Sequence, residues 1–129
     1  MTIEKKYTLS QCKRDMIMMW SWLAKTGETK NAYINFLYKN RAKSTYERFF
    51  SMVFDCPCCT YTGHDYVRGS CNCCKKCPVK WKNKYTKGIE TTCCLPGSEY
   101  NDWNTSYSIT TRKEKANKIL ELAKAIKVK

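Results

Sequence analysis

Cys56-Pro-Cys-Cys59 and, fourteen residues further on, Cys74-Lys-Lys-Cys77-Pro78 decide how this chain is read. Two C-x2-C knuckles at this separation are the arrangement in which two reverse turns close a tetrahedral thiolate site around one zinc ion. Cys56, Cys59, Cys74 and Cys77 form the expected ligand set, with Pro57 and Pro78 stiffening the turns. Nine of the ten cysteines lie between Cys56 and Cys94, so the ligand count has alternatives. Cys71 competes with Cys77 for a C-x2-C pair with Cys74, Cys58 is left over, and either Cys93 or Cys94 can replace a knuckle ligand. Cys71, Cys73, Cys93 and Cys94 could also hold a second zinc. An iron–sulfur cluster ranks below both, because the run Cys71 to Pro78 ends in cysteine-proline but lacks the regular triplet spacing of ferredoxins.

The surrounding composition shows why a cross-link is needed. The chain has 129 residues, enough for one modest core, yet about a third of it is a cysteine-rich stretch with few aliphatic side chains. Thiolate zinc and disulfides both supply such a cross-link, and the redox compartment selects between them. The first six residues carry charge with no apolar run behind them, and the uncharged stretch between Asp15 and Lys25 is too short to span a bilayer. These features predict a soluble intracellular protein with reduced thiols and no membrane partner. Adjacent pairs such as Cys58-Cys59 and Cys93-Cys94 keep the disulfide alternative open.

Outward from the cluster, both flanks read as helical. Thr8 with Gln11 forms a capping box, Leu9, Cys12, Met16, Met19 or Trp20, and Leu23 recur at helical steps, and Gly27 is placed to end the element. Cys12 falls on the apolar stripe and is expected in the core. Trp20 and Trp22 lie about 200° apart on a helix, so Trp22 is expected as a surface anchor. Tyr33, Phe36 and Leu37 suggest a short helix, the residues from Asn40 to Ser44 a break, and Thr45 to Phe54 a second short helix. At the other end the last helix begins at Thr110 or Thr111, where Thr111-Arg-Lys-Glu114 reads as a capping box. Ala116, Ile119, Leu120, Ala123 and Ile126 form a stripe suited to antiparallel packing on the first helix. The expected fold is mainly α, one domain over residues 1–129: helical 1–54, a Cys-rich insert 55–97, and a C-terminal helical part 98–129.

The net charge of +13 is uneven. Residues 1–54 carry ten Lys/Arg against four Asp/Glu, residues 55–89 seven against two, and residues 90–129 seven against five. Lys75, Lys76, Lys80, Lys82, Lys84 and Lys87 crowd one segment, interleaved with Trp81 and Tyr85 and with no acid from Val67 to Ile89. Lysines for phosphate neutralisation and rings for stacking are what a nucleic-acid contact needs. A solvated loop in a lysine-rich protein is the competing reading, since nineteen of the twenty-four basic residues are Lys. His64, the one histidine, stands in a Gly-His-Asp turn and is weak support for catalysis. No phosphate-binding glycine motif or Ser/His/Asp order is present, so the chain reads as non-enzymatic.

In order, Met19-Trp-Ser-Trp-Leu23, Cys56-Pro-Cys-Cys-Thr-Tyr61, Cys74-Lys-Lys-Cys-Pro-Val-Lys-Trp81, Cys93 or Cys94, Tyr100-Asn-Asp-Trp103 and the helix from Ala116 to Ala123 make a larger pattern. It resembles a group of small tailed-bacteriophage proteins with a cysteine cluster between terminal helices. The resemblance covers most of the chain except residues 28–54; Cys58, Cys71 and Cys73 depart from its pattern. It implies a viral protein with a metal knuckle made in the bacterial cytoplasm, and it does not supply an activity. Two functions follow as expectations. One is a zinc-stabilised accessory protein that binds nucleic acid or a nucleoprotein complex. The other is an inhibitor that binds a host transcription or defence factor through exposed Trp22, Trp81, Tyr100 and Trp103.

Overall fold

The computed structural model describes residues 8–40, 43–50, 57, 77–83, 89–90 and 98–128. Helix α1 runs Leu9–Thr26. Its start is set by Thr8, whose side chain accepts the Gln11 N–H at 3.1 Å and so satisfies one donor the first turn leaves open. Its end is set by Gly27, left-handed at φ 71°, whose N–H donates to the Leu23 carbonyl at 2.9 Å. Cys12, Met16, Met19, Trp20 and Leu23 face the core as their spacing predicts.

Helix α2 follows at Lys30–Asn40 and buries Tyr33, Ile34 and Leu37; helix α3 covers Lys43–Phe50. The expected pair of short helices is present, with α3 starting two residues earlier than its sequence signal. Phe49 of α3 meets Tyr33 edge-on at 5.3 Å, which joins the pair.

In the C-terminal part a short helix α4, Glu99–Asn104, is capped by Ser98 and turns Trp103 inward. Helix α5, Ile109–Lys124, then carries the buried stripe Ala116, Ile119, Leu120 and Ala123, which Ile126 continues beyond the helix end. Its cap differs from the sequence reading. Ser108, not Thr110 or Thr111, is the N-cap, and its Oγ accepts the Thr111 N–H at 3.1 Å. Serine caps as well as threonine, and starting the helix at Ile109 adds contacts at the end of α1.

α1 and α5 pack together, with small residues on α5 admitting the larger side chains of α1. The end of α1 meets the start of α5, the relation an antiparallel pair requires. Arg112 Nε donates to the Gly27 carbonyl at 2.6 Å. A Cβ on Gly27 would come within 2.5 Å of Ile109 Cγ2 and 2.7 Å of the Ile109 carbonyl oxygen. Glycine is therefore required twice at this position, for its backbone angle and for the close approach of α5.

Within the cysteine-rich span, strand β1 (Lys82–Asn83) pairs antiparallel with β2 (Ile89–Glu90), Lys82 opposite Glu90 and Asn83 opposite Ile89. Among the described residues, no helix is long and apolar enough to cross a membrane.

Candidate functional site

Of the expected metal ligands, Cys77 lies in the described residues; Cys56, Cys59 and Cys74, with the alternatives Cys58, Cys71, Cys73, Cys93 and Cys94, lie outside them. Cys77 is half-buried and packed against the core, and Pro57 of the first knuckle is fully buried. Among the described residues no three metal-binding side chains come together. The donor chemistry of the two knuckles suits zinc, and their geometry lies outside the described residues.

The segment leaving the second knuckle alternates sharply. Val79 is buried, Lys80 is exposed and Trp81 is buried again. Between the bend at Pro78 and Val79 and the start of β1, burial thus alternates over three residues, Lys80 to solvent and Trp81 inside. This corrects the stacking role expected of Trp81, which is only 1% exposed. Burying an indole removes some 150–250 Å² from water, and Trp81 thereby moors the knuckle to the helices. The remaining strip residues, Lys75, Lys76, Lys84, Tyr85 and Lys87, lie outside the described residues, as does the Lys82 side chain.

Trp81 joins a cluster of rings drawn from three parts of the chain. Its ring stands nearly perpendicular to Tyr100 at 6.1 Å; Trp20 meets Trp103 at 4.8 Å and 82°; Tyr100 and Trp103 lie 5.9 Å apart. Edge-to-face contacts set the positive ring edge against the negative face and favour such pairs beyond their buried area. The indole N–H groups of Trp20, Trp81 and Trp103 have no hydrogen-bond acceptor among the described residues, so the cluster rests on packing.

Of the expected anchors Trp103, like Trp81, is corrected, being 4% exposed, whereas Tyr100 and Trp22 are half-buried, Trp22 beside Tyr33 and Phe36 with ring centroids 5.3 Å away. Trp22 does face away from Trp20, but α2 occupies that side. The exposed aromatics among the described residues are Tyr38 and Tyr107 instead.

Lys30 is the feature the sequence concealed. It is 5% exposed, and its Nζ donates to the Tyr100 hydroxyl at 2.6 Å. The ammonium stands 4.7 Å from the ring centroid. Together the two distances put the charge beyond the hydroxyl rather than over the ring face, so the contact is a hydrogen bond to oxygen and not a cation–π pair. Nothing local marks this lysine, because its partner lies seventy positions away.

No protein-family model, curated protein or solved structure matches the chain. Function is therefore read from the chemistry of the sites alone.

Proposed function

We propose that the chain is a non-enzymatic, zinc-stabilised accessory protein of a tailed bacteriophage, acting in the bacterial cytoplasm, whose lysine face binds nucleic acid or a nucleoprotein complex. The observation that carries the reading is the alternation after Cys77. Val79 and Trp81 point inward and Lys80 points out, while the sequence sets further lysines at positions 82 and 84, on the same parity as Lys80. A mooring of this kind holds a cationic face at a set place, where a solvated loop would leave it diffuse.

Phosphate neutralisation is the chemistry such a face offers, and Tyr85 is the ring left for stacking. Zinc on Cys56, Cys59, Cys74 and Cys77 closes the base of the segment. With Trp81 and Trp103 committed to the core, nothing in the structure favours the rival in which these rings anchor a host protein.

Fluorescence anisotropy with a labelled oligonucleotide across a salt series tests the reading. The logarithm of the binding constant falls steeply with the logarithm of salt, and replacing Lys75, Lys76, Lys80, Lys82, Lys84 and Lys87 by Ala flattens the slope. Binding indifferent to both sinks the proposal.

A further inference from the structure

A hollow of about 340 Å³ lies between α1 and α2, with walls that include Met18, Trp22, Tyr33, Phe36 and Leu37 and with Lys25, in the last turn of α1, beside them. Its rings are set at angles to one another: Trp22 and Phe36 are tilted by 33° and Trp22 and Tyr33 by 49°, each pair at 5.3 Å. Rings held at such tilts form a wedge and do not close face to face. Tyr33 and Leu37 are buried, whereas Met18, Trp22 and Phe36 pack on the core and remain half-buried. Part of this apolar wall therefore stays in contact with water.

Close-packed interiors leave few voids larger than a water molecule, and this one is far above that size. A cation near a helix C-terminus suits the helix dipole, which accounts for Lys25 on α1 taken alone. Met18, Trp22 and Lys25, however, follow one another at steps of four and three and share one face of that helix. The period that sends two apolar side chains to the hollow thus sets an ammonium at its edge. Lys25 is exposed and has no ion-pair partner among the described residues, and its aliphatic stem can lie along apolar surface while the charge stays in water. A volume just above the roughly 300 Å³ at which ligand pockets begin admits a group of one or two rings. Ring walls favour an aromatic occupant, through offset and edge-to-face contacts, and the ammonium favours an anionic substituent at the open side.

We infer that the hollow between α1 and α2 binds a small planar aromatic carboxylate, its ring against Trp22 and Phe36 and its carboxylate toward Lys25. The site stands whether or not the lysine strip binds nucleic acid.

Titration of the full-length protein with 2-naphthoate, followed by NMR at constant ionic strength, tests it against the neutral isostere 2-naphthamide. The expected result is saturable binding of both probes, with nuclear Overhauser contacts from the ring protons to the Met18 methyl and the Trp22 indole. Naphthoate binds about threefold more tightly than the amide, the scale of one solvent-accessible charge pair. Lys25→Gln removes that preference and leaves the affinity for the amide unchanged; Lys25→Glu reverses the preference. Neither substitution moves the thermal midpoint appreciably, since Lys25 is exposed. Shifts that do not saturate, or ring contacts away from Met18 and Trp22, overturn the inference. So does a preference for naphthoate that persists in Lys25→Gln, which would trace it to the net positive charge of the chain.

Discussion

Trp81 reads as a stacking side chain from its lysine neighbours, yet it is enclosed beside Tyr100. The two roles separate by measurement. Trp81→Ala is expected to lower unfolding stability by about 3–5 kcal/mol in urea denaturation, the usual loss for a large buried ring. Lys80→Ala leaves stability within about 0.5 kcal/mol and reduces the salt slope of nucleic-acid binding by about one. Gly27 makes a second residue-scale case. Gly27→Ala is expected to cost about 2 kcal/mol or more, from the left-handed backbone together with crowding. Adding Ile109→Ala recovers only part, because the Ile109 carbonyl at 2.7 Å remains in the way. A calorimetric midpoint that the second substitution fully restores would show that side-chain crowding alone was responsible.

At the scale of elements, helix ends show what local patterns resolve. Thr8 and Gly27 bound α1 where the sequence places them, because each closes its own backbone bonds within four residues. For α5 the capping-box signal at Thr111 lies three residues past the actual cap, because a lone serine side chain can close the first turn without a glutamate at N3. Ser108 is the cap, with Ile109 then lying against Gly27, and its hydroxyl also donates to Thr111 Oγ1 at 2.7 Å. Ser108→Ala is accordingly expected to cost about 1 kcal/mol, and Thr111→Ala clearly less, in thermal denaturation. Helix α4 is marked only by Tyr100 and Trp103 at a helical step behind Ser98. So short an element is marginal in isolation, and its rings packing on Trp20 stabilise it.

For the whole molecule, the described part of the cysteine-rich span meets the helices where Cys77 rests on the core and Val79 and Trp81 enter it. If zinc closes the knuckles, metal analysis of protein purified without chelator finds one zinc per chain and four protected thiols. Chelation then alters the near-ultraviolet signal of Trp81 while far-ultraviolet helicity from α1 and α5 largely persists. Ten cysteines in disulfides with no metal would overturn both the site and the reducing compartment. The sequence alone determined α1, α5, their facing stripes and the knuckle spacing, because periodicity, caps and C-x2-C turns are interactions between residues a few positions apart. Only the tertiary structure decided that Trp81 and Trp103 turn inward, that Lys30 is buried on Tyr100, and that Arg112 reaches Gly27. Those outcomes depend on partners seventy and eighty-five positions away, and on competition among aromatic residues for one core, which no local pattern records.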